Sequence, residues 1–292
     1  MNGVINVFKN TGMTSFDVVK KIRFISKEKK VGHTGTLDPE ASGVLPICLG
    51  KATKIIDYIM ENKKTYKVQL KLGIITDTYD LEGKILEEND ISAIKEDDVV
   101  KVISLYKGEI EQIPPMYSAL KVNGKRLYDL ARQGIEVERS ARKIFIYDIN
   151  DVEVSLPYIS MTVTCSKGTY IRSLCYDIGK DLNVGATMTS LCRTANGIFN
   201  EENGINIDNI NEENLHQHII SIEDALKVYD KIIINKGFSK LLINGVKVAD
   251  RRLTENKVFQ NVLYRVYDEN SVFLGLGRKF EDGFKMEKLL LD

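Results

Sequence analysis

Residues 65–73, TYKVQLKLG, alternate apolar and polar side chains at a period of two, with Tyr66, Val68, Leu70 and Leu72 on one side and Lys67, Gln69 and Lys71 on the other. Successive side chains of a strand leave opposite faces, so this run is a half-buried antiparallel strand. Residues 144–154 and 158–166 alternate in the same way, residues 3–9 read as a further short strand, and another opens at Ser190. Such a chain must build a sheet with one covered face, and segments of helical period supply the cover. Thr14-Ser15-Phe16-Asp17 has the form of a capping box with Asp in place of Glu, and starts a helix that the pattern carries to about Lys29. Residues 52–62 and 91–107 read as two more helices, and 167–174 turn into a fourth that reaches about Leu182.

Residues 31–51, VGHTGTLDPEASGVLPICLGK, read as poor helix and poor strand. Gly32 and Gly35 permit backbone angles that other residues avoid, so the chain can pass close to a ligand or another backbone. For Asp38-Pro39 two readings stand. An Asp can cap orphan N–H groups while Pro takes the first helical position. Alternatively, an acid, an imidazole and two hydroxyls within six positions of a glycine-rich loop form a reactive cluster, since chemistry concentrates on loops held by rigid scaffolds.

The chain has 292 residues, 43% hydrophobic and 28% charged, enough for a large core and a small second domain. Its start, MNGVINVFKNTG, lacks the basic-then-apolar build of a signal peptide, and no apolar run approaches the ~18 residues of a membrane span. A cytoplasmic protein with no membrane partner is expected. Cys48, Cys165, Cys175 and Cys192 include no C-x-x-C pair, and with His33, His216 and His218 they write no usual zinc pattern. They read as reduced, buried small hydrophobes.

The formal net charge is zero, yet unevenly spread. Residues 198–224 hold seven acids and no Lys or Arg, and read as an acidic linker with one late helix over 221–229. On the first helix Lys20, Arg23, Lys27 and Lys30 form a stripe beside Gly32, either a solvated face or a phosphate contact. Within 118–143, residues 121–143 carry seven basic side chains against three acids, with Tyr128 among them and Tyr117 just ahead, the composition of a surface that tracks an RNA backbone. From Lys231 the texture changes to short strands, over 231–235, 246–249, 262–267, 272–277 and 284–291, with Asp268-Glu269-Asn270 as a hairpin turn. Two domains follow, 1–230 and 231–292.

Two enzyme schemes lack parts. A Walker loop would need Gly at 45 and Ser or Thr at 52, where Leu45 and Ala52 stand, and a two-carboxylate glycosidase would find only Glu40 near Asp38. A third scheme has all its parts. Gly32-His33-Thr34-Gly35-Thr36-Leu37-Asp38-Pro39, then Ala41-Ser42-Gly43-Val44-Leu45-Pro46 and Gly50-Lys51-Ala52-Thr53-Lys54, resemble the signature of the TruB family of tRNA pseudouridine synthases. Lys63-Lys64-Thr65-Tyr66, Thr76-Asp77-Thr78-Tyr79-Asp80, Pro114-Pro115-Met116-Tyr117-Ser118-Ala119-Leu120-Lys121, Ala131-Arg132-Gln133-Gly134 and Gly168-Thr169-Tyr170-Ile171-Arg172-Ser173-Leu174 follow in the family's order.

The resemblance implies an α+β fold: a mixed, largely antiparallel sheet with flanking helices, the pseudouridine synthase fold, plus a small β-rich PUA-like C-terminal domain that contacts tRNA outside the T-arm. It implies a cofactor-free isomerisation of uridine 55 in the tRNA T-loop by a monomer, in which uracil is detached from ribose, rotated and rejoined through C5. The essential aspartate falls on Asp38, which could add to the base, add to the sugar or only remove a sugar proton. By the same matching Arg172 pairs with Asp38, Tyr66 stacks on the uracil and assists proton transfer at C5, and Tyr170 and Leu191 line the base pocket. His33 fills the space the flipped uridine leaves, and Lys9 and Asp80 match further family positions. A tRNA-binding or tRNA-folding protein without turnover would use the same basic surfaces, and a structural interaction protein is a third reading. A pure binder, however, has no use for an ionised acid facing an anionic ligand.

Overall fold

The computed structural model describes every residue except Asn123 and Asp292. Its centre is an eleven-stranded mixed sheet. The long strands are β1 (Gly3–Lys9), β3 (Ser42–Leu49), β4 (Lys64–Leu72), β5 (Gly108–Gln112), β6 (Arg142–Ser155), β7 (Tyr158–Cys165) and β8 (Ala186–Asn196), with a short β2 (Val31–His33) alongside β3. They lie in the order β1-β3-β8-β4-β7-β6-β5. All these neighbours run antiparallel except β3 and β8, which meet in parallel at Cys192 opposite Ser42 and Arg193 opposite Gly43. The expected α+β class with a largely antiparallel sheet holds.

The period-two reading of β4 is reproduced residue by residue, with Tyr66, Val68, Leu70 and Leu72 buried and Lys67 exposed. Over that face lie α1 (Ser15–Ser26), α2 (Glu96–Ser104) and α3 (Ile171–Asp181), whose Val18, Ile22, Val99, Ile103, Leu174 and Ile178 share one core with β4 and β7. Each such fully buried aliphatic side chain contributes about 1.5–3 kcal/mol. The capping box forms, with Thr14 accepting from the Asp17 N–H while the Asp17 carboxylate accepts from Thr14 N–H.

Several expectations give way to tertiary context. Helix α1 stops at Ser26 rather than Lys29, because Lys27 takes a left-handed conformation with φ 54°. Residues 52–62 split into a 3₁₀ turn, Gly50–Ile55, and one helical turn, Ile56–Met60; residues 91–107 shorten to α2, and β8 starts four residues before Ser190. Residues 31–51, read as poor strand, hold two strands, and Pro46 sits inside β3 without breaking it. The acidic segment is no linker: Phe199–Asn200 pairs with β8, Ile205–Asn206 and Ile219–Ile220 pair with β1, and Ile207, Ile210 and Leu215 enter the core. Its late helix is a single turn, Ile222–Ala225.

Beyond it, β9 (Asp230–Ile233), β10 (Leu263–Tyr267), β11 (Phe273–Phe280) and β12 (Gly283–Leu289) form a separate four-stranded sheet, with the Asp268 turn joining β10 to β11. Residues 246–249 contribute only a bridge from Val248 to Phe284, and an unforeseen helix, Phe238–Ile243, covers this sheet. Leu263, Leu276 and Leu290 pack against Ile55, Ile59 and Cys48 of the larger body. Cys48, Cys165 and Cys175 are buried and reduced as expected, while Cys192 is half-exposed.

Candidate active site

Asp38 stands in the loop between β2 and β3 with both neighbours pinned. The Ser15 hydroxyl, at the start of α1, accepts the Leu37 N–H at 2.8 Å and donates to the Leu37 carbonyl at 3.0 Å. The Pro39 carbonyl accepts the Gly12 N–H and the Lys9 ammonium, each at 3.0 Å. No helix follows Pro39, and among the described residues no backbone N–H donates to the Asp38 carboxylate, so the capping reading falls.

That carboxylate is gripped instead by Arg172 in the first turn of α3. Arg172 Nη2 donates to Oδ1 at 3.3 Å and Nε lies 3.1 Å from Oδ2, an ion pair that meets both carboxylate oxygens. The remaining donors of the guanidinium reach the Thr78 carbonyl at 3.2 Å, the Tyr117 carbonyl at 2.7 Å and Asp80 Oδ2 at 3.3 Å. Arg172 is 7% exposed, so its charge is sustained by two carboxylates and two carbonyls. Enclosure pushes the Asp38 carboxyl above the ordinary carboxylate range, the Arg172 cation opposes this, the Asp80 anion adds to it, and Lys9 opposes.

Asp80 is placed by the turn after the strand Ile74–Thr76. The Thr78 hydroxyl donates to Asp80 Oδ1 at 2.5 Å, and the intervening Tyr79 has φ 64° and stacks on Tyr176 of α3 at 4.1 Å. The turn is thereby tied to the helix that carries Arg172. Tyr170, just before α3, exchanges two backbone hydrogen bonds with the buried Gln112 side chain, at 2.8 and 3.0 Å.

These groups open onto a cavity of ≈ 760 Å³ whose walls include Asp38, Tyr66, Asp80, Tyr170, Arg172 and Leu191. That volume suits a small-molecule-sized ligand. Six of the eight residues singled out from the sequence converge there. Lys9 and His33 do not line it. Lys9 is fully buried, with its ammonium donating to the carbonyls of Asn10, Met13 and Pro39; desolvation lowers its pKa to about 8. His33, on β2, accepts the Gly35 N–H through Nδ1, which fixes the neutral tautomer; burial lowers its pKa, and Arg193 lowers it further. Burial also pushes the Tyr66 hydroxyl up, so it enters chemistry at neutral pH as a phenol.

The sequence reading passed over Arg193 and Lys64. Both line the cavity, and both are buried, at 1% and 7% exposure. Arg193 donates from Nε to the Val44 carbonyl at 2.7 Å and from Nη2 to the Gly35 carbonyl at 3.1 Å, tying both ends of the loop to β8. Gly43 makes this approach possible: its φ is +114°, and a Cβ there would lie 2.2 Å from the Arg193 carbonyl oxygen. The pleat could have disclosed Arg193, because it follows the apolar Leu191 by two positions.

Half of the basic stripe beside Gly32 is paired within the protein. Lys20 pairs with Asp17 at 3.1 Å and Lys27 with Glu212 at 2.7 Å, while the neighbouring Lys21 pairs with Asp208 at 2.7 Å. By contrast Lys121 and Lys125 are exposed, and among the described residues neither has a carboxylate within 4 Å.

The pattern of the TruB family pseudouridylate synthase (N terminal domain) matches residues 23–171, and that of the tRNA pseudouridylate synthase B C-terminal domain matches 172–227. The chain is 64% identical over 293 residues to the tRNA pseudouridine synthase B of Clostridium perfringens strain 13, and 60% identical over 291 residues to that of Clostridium tetani, covering 100% of each chain in both cases. Among solved structures, a chain of a Cbf5-Nop10-Gar1 complex superposes with a TM-score of 0.76 at 28% identity, covering 99% of this chain and 85% of that one.

Proposed function

The chain belongs to the TruB family of pseudouridylate synthases, and on that premise we propose that it isomerises uridine 55 of the tRNA T-loop to pseudouridine, with Asp38 as the reacting carboxylate. The observation that carries the reading is the Asp38–Arg172 ion pair, which meets both carboxylate oxygens, in the wall of a cavity of ≈ 760 Å³. A carboxylate held at both oxygens by a guanidinium is aimed as well as charged.

The uridine must leave the stacked loop before any side chain can reach its glycosidic bond, and unstacking costs a few kcal/mol that contacts in the cavity return. Tyr66 supplies a ring for the uracil to stack on, and Tyr170 and Leu191 close the walls. Asp80 shares the Arg172 cation through one contact from Nη1, so removing it frees one hydrogen-bonding direction on the guanidinium. Lys9 acts from behind, by pinning the Pro39 carbonyl beside Asp38. His33, two residues from Gly35 and outside the cavity, is suited to the space the flipped base vacates. Among the described residues no helix is long and apolar enough to cross a membrane. A cytoplasmic monomer fits this reading, with 1–230 as the catalytic domain and 231–292 as a PUA-like domain contacting tRNA beyond the T-arm.

Release of the C5 hydrogen from a T-arm stem-loop labelled only at uridine 55 tests the assignment. Stoichiometric release supports it. Tight binding without release returns the chain to the tRNA-binding alternative, and release from another labelled uridine moves the target.

A further inference from the structure

We propose that Arg193 and Lys64 form a cationic end of the cavity that takes up the negative charge of the uracil ring while its bond to the sugar is broken, an inference that rests on the isomerisation proposed above. The row of inward-facing residues on the two central strands carries it. On β4, Lys64 and Tyr66 are two apart and face the covered side. On β8, Leu191 and Arg193 do the same, and Arg193 is the direct cross-strand partner of Tyr66. All four line the cavity. The ring proposed to stack on uracil is thus flanked along its own strand by one buried cation and across the sheet by another.

Neither cation is neutralised. Among the described residues no carboxylate lies within 4 Å of Arg193 or Lys64. Their partners are carbonyls: Val44 and Gly35 for Arg193, Met60 and Asn62 for Lys64. Desolvation, and then the Arg193 charge, lower Lys64 to a pKa of about 8. Buried like charges without counter-ions are costly and are relieved when an anion arrives. Elsewhere on the same lining the arrangement is the reverse, with two carboxylates sharing one guanidinium. The cavity is therefore polarised, anionic at Asp38 and Asp80 and cationic at Arg193 and Lys64.

That polarity matches the bond to be broken. When N1–C1′ cleaves heterolytically, its electron pair moves onto the base, giving a uracil anion with charge on O2, O4 and N1, and leaves the sugar electron-poor. The sugar then faces Asp38 and the base faces Arg193 and Lys64. After rotation, C5 returns a pair to C1′, the C5 proton passes to solvent and N1 takes one from it, so the product is an isomer with no net change in protons. Fixed charges placed where charge develops stabilise the transition state without reorganisation.

The test uses the full chain with two T-arm stem-loops, carrying uridine or 5-fluorouridine at the target. Fluorine makes N1 more acidic and the base a better leaving group, so help from a cation matters less. Single-turnover consumption is measured for wild type, Arg193→Gln, Arg193→Lys and Lys64→Met, together with RNA affinity and thermal stability. Arg193→Gln should lose about 100-fold or more in rate on uridine, keep RNA affinity within about threefold, and recover at least about tenfold of its deficit on 5-fluorouridine, with Arg193→Lys between it and wild type. If Arg193→Gln does not fold, Lys64→Met should show the same narrowing. Equal deficits on the two RNAs would reduce both residues to loop supports and overturn the proposal. Loss of affinity in step with rate would make the site a backbone-phosphate contact and overturn it equally. If wild type itself fails to consume the uridine substrate, it is the isomerase reading that falls.

Discussion

Arg172 and Asp38 are 134 positions apart in the chain and meet at both carboxylate oxygens, Nε 3.1 Å from Oδ2 and Nη2 donating to Oδ1 at 3.3 Å. Asp38→Asn keeps the size of the side chain and removes its charge. It should abolish turnover in the C5-release assay while changing T-arm affinity by no more than about tenfold, ~1.4 kcal/mol. A much larger binding loss would mark Asp38 as structural.

Arg172→Met should be far more damaging to the fold. It leaves Asp80 and the part-exposed Asp38 without their shared cation and strips the Thr78 and Tyr117 carbonyls of a donor. Breaking a fully buried pair from one side costs about 3–5 kcal/mol, and the 37% exposure of the Asp38 side chain brings the expected loss to the lower end of that range. Urea unfolding measures this, and a loss under about 1 kcal/mol would contradict the described network.

Lys9 predicts a pH signature in stability. Its pKa is lowered to about 8 in the folded protein from an ordinary 10.5. Between those values the unfolded chain binds more protons, so this group makes folding more favourable as pH rises from about 8 to 10.5. The stability difference between wild type and Lys9→Met should therefore grow in favour of wild type over that window, by an amount on the order of 3 kcal/mol. Denaturant midpoints at pH 7, 9 and 10.5 read it directly, and a flat difference would mean the ammonium is not desolvated.

Lys121, Lys125 and Arg126 should dominate the salt dependence of RNA binding. Each phosphate contact removed lowers the slope of log affinity against log salt by about one. Replacing these three should flatten it more than replacing Lys20 and Lys27, whose charges are already engaged by Asp17 and Glu212. The reverse order would restore the α1 stripe as an RNA surface.

Gly43→Ala should cost more than about 4 kcal/mol or abolish soluble expression, because the new methyl would collide with the backbone of Arg193. Gly134→Ala is the control: its φ is also positive but nothing lies within 4 Å of the added carbon.

Local pattern disclosed what depends on local pattern. Tyr66 stood out through the alternation of β4, and Asp17 through its place in the capping box. Asp38 drew notice through the density of reactive groups around it, and Arg172 through its match to a family motif. What escaped was decided by distant partners. The acidic, Asn-rich composition of 198–224 concealed three strands, because their hydrogen bonds go to β1 and β8 rather than to one another. Residues 31–51 read as poor strand, yet 42–49 form β3, with Pro46 facing Asn6 of β1 in its middle. Arg193 looked like any charged strand residue: its spacing from Leu191 marks the face the two share, but the carbonyls it serves there, of Val44 and Gly35, lie far off in sequence.

The position of β8 has a consequence for how the protein comes to exist. It fills the gap between β3 and β4, two strands translated more than a hundred residues earlier, and it brings Leu191 and Arg193 with it. Until residue 196 has left the ribosome, β3 and β4 each present an open edge, and the cavity lacks a wall. Pairings of such long reach close slowly, and open edges invite association with other chains. The nascent chain is therefore most exposed to misassembly when about two thirds of it has been made, and a chaperone that acts on it should be needed most in that interval.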